Sequence, residues 1–290
     1  MKKALIQLHI AVFLWGFTGV LGRLISLNEG LLVWWRIAFT LIILAAVLIF
    51  KKEFIRIKPA MALRLGAVGC LLALHWVCFF GSIKAANVSI ALTCLSSAAL
   101  LTAFLEPVFT RKKFNPVEIA LGLMGLAGIL FIFHFEPKFK TGIIIGCIAS
   151  LLSVLFTLFN KKYVHTASVN NVMLYELGGG WILLTALMPL YLYYFPANVM
   201  LPTLTDVLWL TVLSGICTVV AMNLSLHSLK KISAFTQNLT LNLEPVYGII
   251  LAFFIYNEQD ELSGNFYIGF ALILLAVALQ MLRIVKRKNT

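Results

Sequence analysis

Long apolar stretches, broken at short intervals by polar clusters, dominate the chain. Segments of about 20 apolar residues are long enough to cross a bilayer as helices. Ten such segments are legible, at about 4–26, 31–50, 62–83, 87–109, 116–134, 141–160, 171–194, 205–226, 232–255 and 265–285. The polar intervals between them are too short to hold a water-soluble domain. The pattern predicts an all-α fold, a polytopic membrane protein of ten transmembrane helices. The first segment follows Lys2 and Lys3 as a signal peptide would, but no convincing small-residue cleavage site follows it. It is read as a helix of the mature protein.

Composition agrees with that solvent. The chain is 61% hydrophobic and 12% charged, with a mean hydropathy of +0.99, whereas soluble domains carry about 25% charged residues. The net charge of +12 does not point to nucleic acid. The basic residues fall in short clusters between apolar runs and are not interleaved with exposed aromatics. With the N-terminus in the cytoplasm, eighteen of the 23 Lys and Arg residues fall on the inner side. Arg23, Lys84, Lys138 and Lys140 fall outside, and Arg36 lies within a span. This positive-inside bias predicts that both termini are cytoplasmic. The five cysteines, Cys70, Cys78, Cys94, Cys147 and Cys217, all lie in apolar segments without metal-ligand spacing. They are read as packing residues, and neither a metal nor a cofactor is expected.

A weak internal repeat runs through the chain. At an offset of 147, Cys70 meets Cys217, Lys84 meets Lys231, Leu92 meets Leu239, Thr93 meets Thr240 and Gly122 meets Gly269. At 140, Arg36 meets Glu176. The span boundaries match as well, so residues 1–136 and 137–290 are read as two five-helix repeats. Five is odd, so the second repeat enters from the opposite side. Such inverted repeats place their site near the midplane between the halves. LEPVF (105–109) and LEPVY (243–247) invite a different register. It is rejected because Glu106 is late in its helix and Glu244 central.

Glu244 and Pro245 interrupt an apolar segment at mid-depth. A carboxylate there is expensive unless it faces other helices or a water-filled path. The proline removes a backbone donor and loosens the helix at Leu241. A charge and a kink at one depth suggest that a small polar solute is handled inside the membrane. Gln237, Thr240, Glu244 and Tyr247 recur on one face of the ninth helix, with Asn238 and Asn242 on a second stripe. The first stripe is assigned to a cavity and the second to a neighbouring helix. Glu244 is also the proton-coupling candidate, against the bland reading of a structural anchor. The sixth helix presents Ser150, Ser153, Thr157 and Asn160 on one face, the fourth Ser89, Thr93, Ser96 and Ser97. The third offers His75 and Trp76, the first Trp15, Gly19 and Gly22, and the eighth Asn223 and His227. Trp15, Gly19, His75, Trp76, Ser97, Ser153, Thr157, Gln237, Thr240, Glu244 and Tyr247 are taken as solute-binding candidates, with Pro245 as the kink. Small hydroxyls and glycines are equally ordinary helix-packing glue. Arg36 and Glu176 are read as structural, bracing helices or snorkelling toward the interface.

Ten spans in two inverted fives, Trp15-Gly16, Arg36 early in the second helix, and a mid-helix Pro245 followed by Asn257-Glu258 and Gly269 together resemble the EamA branch of the drug/metabolite transporter superfamily. Ala98 stands where the first half of that pattern has a proline, and Arg111 where it has a glutamate. The resemblance implies a secondary-active transporter of a bacterial inner membrane, exporting amino acids, other metabolites or drugs. Its partners would be the small-molecule substrate, the lipid bilayer and protons, and it would not be an enzyme. No GxxxxGK[ST], HExxH or GxSxG motif is present. Two other readings stay open: a flippase of a lipid-linked intermediate, and a membrane enzyme or non-transporting assembly subunit.

Overall fold

The computed structural model describes residues 2–111, 113–135, 137–197, 199–241 and 243–288; Lys112 and Asn242 lie outside them. Every regular element among the described residues is helical. The first half contains α1 (Lys2–Leu24), α2 (Glu29–Phe50), α3 (Pro59–Ala85), α4 (Val88–Leu95), α5 (Ala98–Thr110) and α6 (Pro116–Phe135). The second contains α7 (Lys140–Tyr163), α8 (Val169–Tyr194), α9 (Leu204–Ser214), α10 (Ala221–Leu229), α11 (Ala234–Leu241), α12 (Glu244–Tyr256) and α13 (Gly264–Lys288).

Among the described residues, seven helices are long and apolar enough to cross a membrane: Lys3–Leu24, Glu29–Phe50, Pro59–Ala85, Val88–Thr110, Pro137–Tyr163, Val169–Tyr194 and Leu204–Leu229. The fifth and tenth expected spans fall on α6 and α13, and the ninth falls on α11 and α12, of which Glu244–Tyr256 is a shorter apolar helix. In the ninth the cause is local: Pro245, in the first turn of α12, cannot donate to Leu241.

Polar caps fix where the helices begin. Asn28, Asn87 and Ser168 accept from the backbone N–H three residues on, opening α2, α4 and α8. Thr203 and Asp206 form a reciprocal capping box on α9. The fourth expected span is also broken, at Ser96 and Ser97, although no proline is there. Ser97 Oγ donates to Cys94 O at 2.8 Å and lies 2.8 Å from Ser150 Oγ on α7, offering the backbone an alternative to the helix ladder.

Several elements of the first half have counterparts in the second. α4 and α11 have eight residues each, α5 and α12 thirteen, and the starts of both pairs are 146 apart. α5 and α12 end in left-handed caps at Arg111 and Asn257. Contacts are reciprocal too: α4 packs on α12 and α11 on α5, while α2 meets α8 and α6 meets α13. One element departs from the match. Gly215–Val220, between α9 and α10, is a π-helical turn, whereas α3 is continuous.

α3 crosses α8 with the backbones close together. A Cβ on Gly69 would fall 1.6 Å from Glu176 O, and one on Gly179 2.2 Å from Gly66 Cα. Only glycine permits that approach. Glu176 is thereby held fully buried, where it accepts from Asn160 Nδ2 at 3.2 Å.

Candidate functional site

Where α1, α3, α7 and α10 converge on the two broken helices, the packing opens into a cavity of about 90 Å³. That is room for several waters or a small solute portion. Both halves contribute walls. Trp15 comes from α1, Arg36 from α2, His75 and Trp76 from α3, and Ser153 and Thr157 from α7. Thr18 of α1, Thr218 of the π turn, Ser225 of α10, Gln237 of α11 and Glu244 of α12 complete the polar lining. Leu72, Phe79, Phe156 and Met222 supply much of the apolar surface.

Most polar groups of the lining are already oriented. Trp15 Nε1 donates to Cys217 O at 2.9 Å. Cys217 lies in the π turn, where the wider winding disturbs the usual carbonyl pairing. His75 Nδ1 lies 2.8 Å from Ala149 O. A carbonyl can only accept, so Nδ1 carries the hydrogen and Nε2 of the neutral ring keeps its lone pair. Gln237 Nε2 donates to Ser225 Oγ at 3.1 Å, and Thr157 Oγ1 to Ser153 O at 3.0 Å.

Two charged residues stand apart from this order. Glu244 is half-buried, and no hydrogen bond or ion pair among the described residues holds its carboxylate. Arg36 is fully buried at the cavity wall. Its Nε donates to Thr218 Oγ1 at 3.0 Å, and its guanidinium lies 3.9 Å from the centroid of the Trp76 ring. Nη1 and Nη2 have no hydrogen-bond partner among the described residues. Arg36 and Glu244 line the same cavity but do not form an ion pair.

Of the residues expected to bind solute, Trp15, His75, Trp76, Ser153, Thr157, Gln237 and Glu244 are brought to this cavity, and Gly19, Ser97, Thr240 and Tyr247 are not. Gly19 faces Val88, where a Cβ would stand 2.9 Å from Val88 Cγ1. Ser97 turns toward Ser150, leaving Ala98 on the wall. Thr240 is buried and bonds Thr236 O. Tyr247 packs against the cluster of Ala4, Leu8, Val12 and Ile232 and meets Phe13 edge-on at 5.4 Å. On the second stripe Asn238 Nδ2 donates to Thr102 of α5 at 2.8 Å. Arg36 does not snorkel, because Trp76, Thr218 and the surrounding helices enclose it. Thr18, Thr218 and Ser225 on the wall were also not anticipated. Thr218 and Ser225 share a face of the eighth span at seven-residue spacing, a signal that Asn223 and His227 obscured.

At the end of the bundle where α1 finishes, Glu258 gathers donors from distant elements. It is fully buried. Oε1 accepts from Arg23 Nη1 at 2.5 Å and Val88 N at 3.0 Å. Oε2 accepts from Ser89 N at 2.8 Å and Ser89 Oγ at 2.6 Å. Its carboxylate thus caps α4 from outside that helix. Nearby, Asp206 accepts from Ser26 N and Oγ at 2.8 and 2.7 Å, and Lys84 donates to Leu27 O.

Comparison with known proteins gives this architecture a class. The EamA-like transporter family matches residues 2–134 and again residues 140–282. The chain belongs to that family, a branch of the drug/metabolite transporter superfamily, and is a multi-pass membrane transporter of that type. No curated protein matches it. A crystal structure described as "Crystal structure of protein" is similar with a TM-score of 0.68, covering 97% of this chain and 98% of its own. It is 17% identical, a likeness that shows the fold alone.

Proposed function

We propose that the chain is a secondary-active exporter of a small polar or amphipathic metabolite, amino acids being the leading class. It would lie in the inner (plasma) membrane with both termini cytoplasmic, as the positive-inside bias favours. Ten crossings, arranged as two inverted five-helix repeats of residues 1–136 and 137–290, would rock against each other around the cavity. The matched breaks in α4–α5 and α11–α12 and the reciprocal packing of the halves support that arrangement. The observation that carries the reading is a mixed polar and aromatic cavity with walls from both halves. Glu244, half-buried there without an ion partner among the described residues, is the group proposed to carry the coupling proton. Export as the direction follows the family resemblance.

The test compares metabolites in the medium of overexpressing and deleted cells, then measures flux of any enriched solute in proteoliposomes holding only this protein. A small metabolite enriched in the overexpressor's medium, and moved by the purified protein, is the expected outcome. Identical media and no flux above protein-free liposomes would contradict the proposal.

A further inference from the structure

A buried guanidinium with idle donors is costly, because its charge and N–H groups have left water without full replacement. Arg36 is in that position, and yet it is held firmly. Nε is pinned by Thr218 Oγ1, and one face lies over Trp76. Its own carbonyl accepts from Thr40 Oγ1 at 2.7 Å and from Ser214 Oγ at 2.9 Å, which fixes the backbone beneath it. Thr218 Oγ1 in turn donates to Leu213 O at 2.8 Å, a contact that ties the π turn to this one side chain. All these contacts orient the guanidinium, and none uses Nη1 or Nη2.

We infer that Arg36 is the carboxylate-binding residue of the solute pathway, Nη1 and Nη2 forming the fork and Glu244 facing a cationic amine on the same solute. The inference rests on the transporter reading above and assigns the chemistry of its site. A planar carboxylate matches the guanidinium fork with two parallel bonds. Glu244 on the same cavity disfavours a dianion and suits an ammonium group. Leu72, Phe79, Phe156 and Met222 suit an apolar remainder. The ligand class is therefore a small zwitterion with an apolar side chain. Because the guanidinium is fully buried in this conformation, the carboxylate reaches it through a side-chain shift at the wall.

The test uses the purified full-length protein, with thermal unfolding in detergent as the readout. The probes are leucine, methionine and phenylalanine, their α-amides, which keep the ammonium and lose the carboxylate, and their deaminated acids. The free amino acids should raise the unfolding temperature of the unaltered protein, and the amides should bind at least about tenfold more weakly, the weight of one charge-assisted pair of bonds. Arg36→Met should unfold no earlier than the unaltered protein without ligand, since an apolar side chain replaces an unsatisfied charge, and should lose the amino-acid response. Arg36→Lys keeps the charge without the fork and should bind about tenfold or more weakly. Glu244→Gln should erase the preference for amino acids over deaminated acids.

Amides as effective as the free amino acids would overturn the inference, as would no response of the unaltered protein to any of the three. A full response in Arg36→Met, or its early unfolding with Arg36→Lys binding normally, would mark Arg36 as a structural brace. Proteoliposome flux of a whole-cell metabolite extract separates the two levels. Flux without discrimination between acids and amides removes the Arg36 assignment and leaves the transporter; no flux of any solute removes the transporter reading.

Discussion

Glu258→Ala is expected to destabilise the protein by about 3–5 kcal/mol, the usual cost of removing one partner from a buried charged contact. Both carboxylate oxygens are fully committed, to Arg23, to the first two backbone N–H groups of α4 and to the Ser89 hydroxyl. Alanine leaves the two N–H groups and the hydroxyl buried without acceptors. Glutamine should recover only part of the loss, because its amide nitrogen would face donors. Arg23→Ala should cost less, since the pair is open to water on the Arg23 side, 35% exposed, and the carboxylate keeps its bonds to Val88 N, Ser89 N and Ser89 Oγ. Thermal unfolding of the three variants in one detergent checks the order. Glu258→Ala melting with the unaltered protein would refute the assignment.

The second large effect concerns coupling. Glu244→Gln should fold and reach the membrane, because the carboxylate makes no hydrogen bond or ion pair among the described residues that glutamine would break. Glutamine keeps the shape and removes the titration. Proton-driven accumulation should therefore fall to simple equilibration, while exchange at equal pH persists at solute concentrations high enough to offset the lost ammonium contact, since exchange need not cycle a proton. The measurement is flux in proteoliposomes at several imposed pH gradients, normalised to folded protein. Unchanged dependence on the gradient in Glu244→Gln would remove it from coupling and make His75, on the same wall, the next candidate.

Glu244 was legible because a carboxylate beside a proline in an apolar helix is conspicuous in one dimension. Arg36 was visible for the same reason, but its role was not. The residues that enclose it, Trp76 and Thr218, are 40 and 182 positions away, and no helical periodicity links them. The repeat was detectable, but at the broken helices its register was one residue long. α4 and α11, and α5 and α12, each start 146 apart, so there Glu244 answers to Ala98 rather than Ser97. One residue turns a helix by about 100°; at that step Ser97 points to Ser150 and Ala98 lines the cavity. The ninth-span break could be read from Pro245, whereas the fourth-span break could not, because hydroxyl bonding supports it. The π turn left no sequence mark, although it positions Thr218 and the carbonyl that receives Trp15.

The central claim is that solute passes through the cavity shared by the two halves. Ser153→Trp tests it most directly, since a bulky indole on α7 fills that space without removing any charge. The measurement is efflux of an amino-acid mixture from proteoliposomes, read by mass spectrometry, with thermal unfolding as the control for folding. A folded Ser153→Trp protein should show efflux no greater than that of protein-free liposomes. Efflux at the unaltered rate from that folded variant would contradict it.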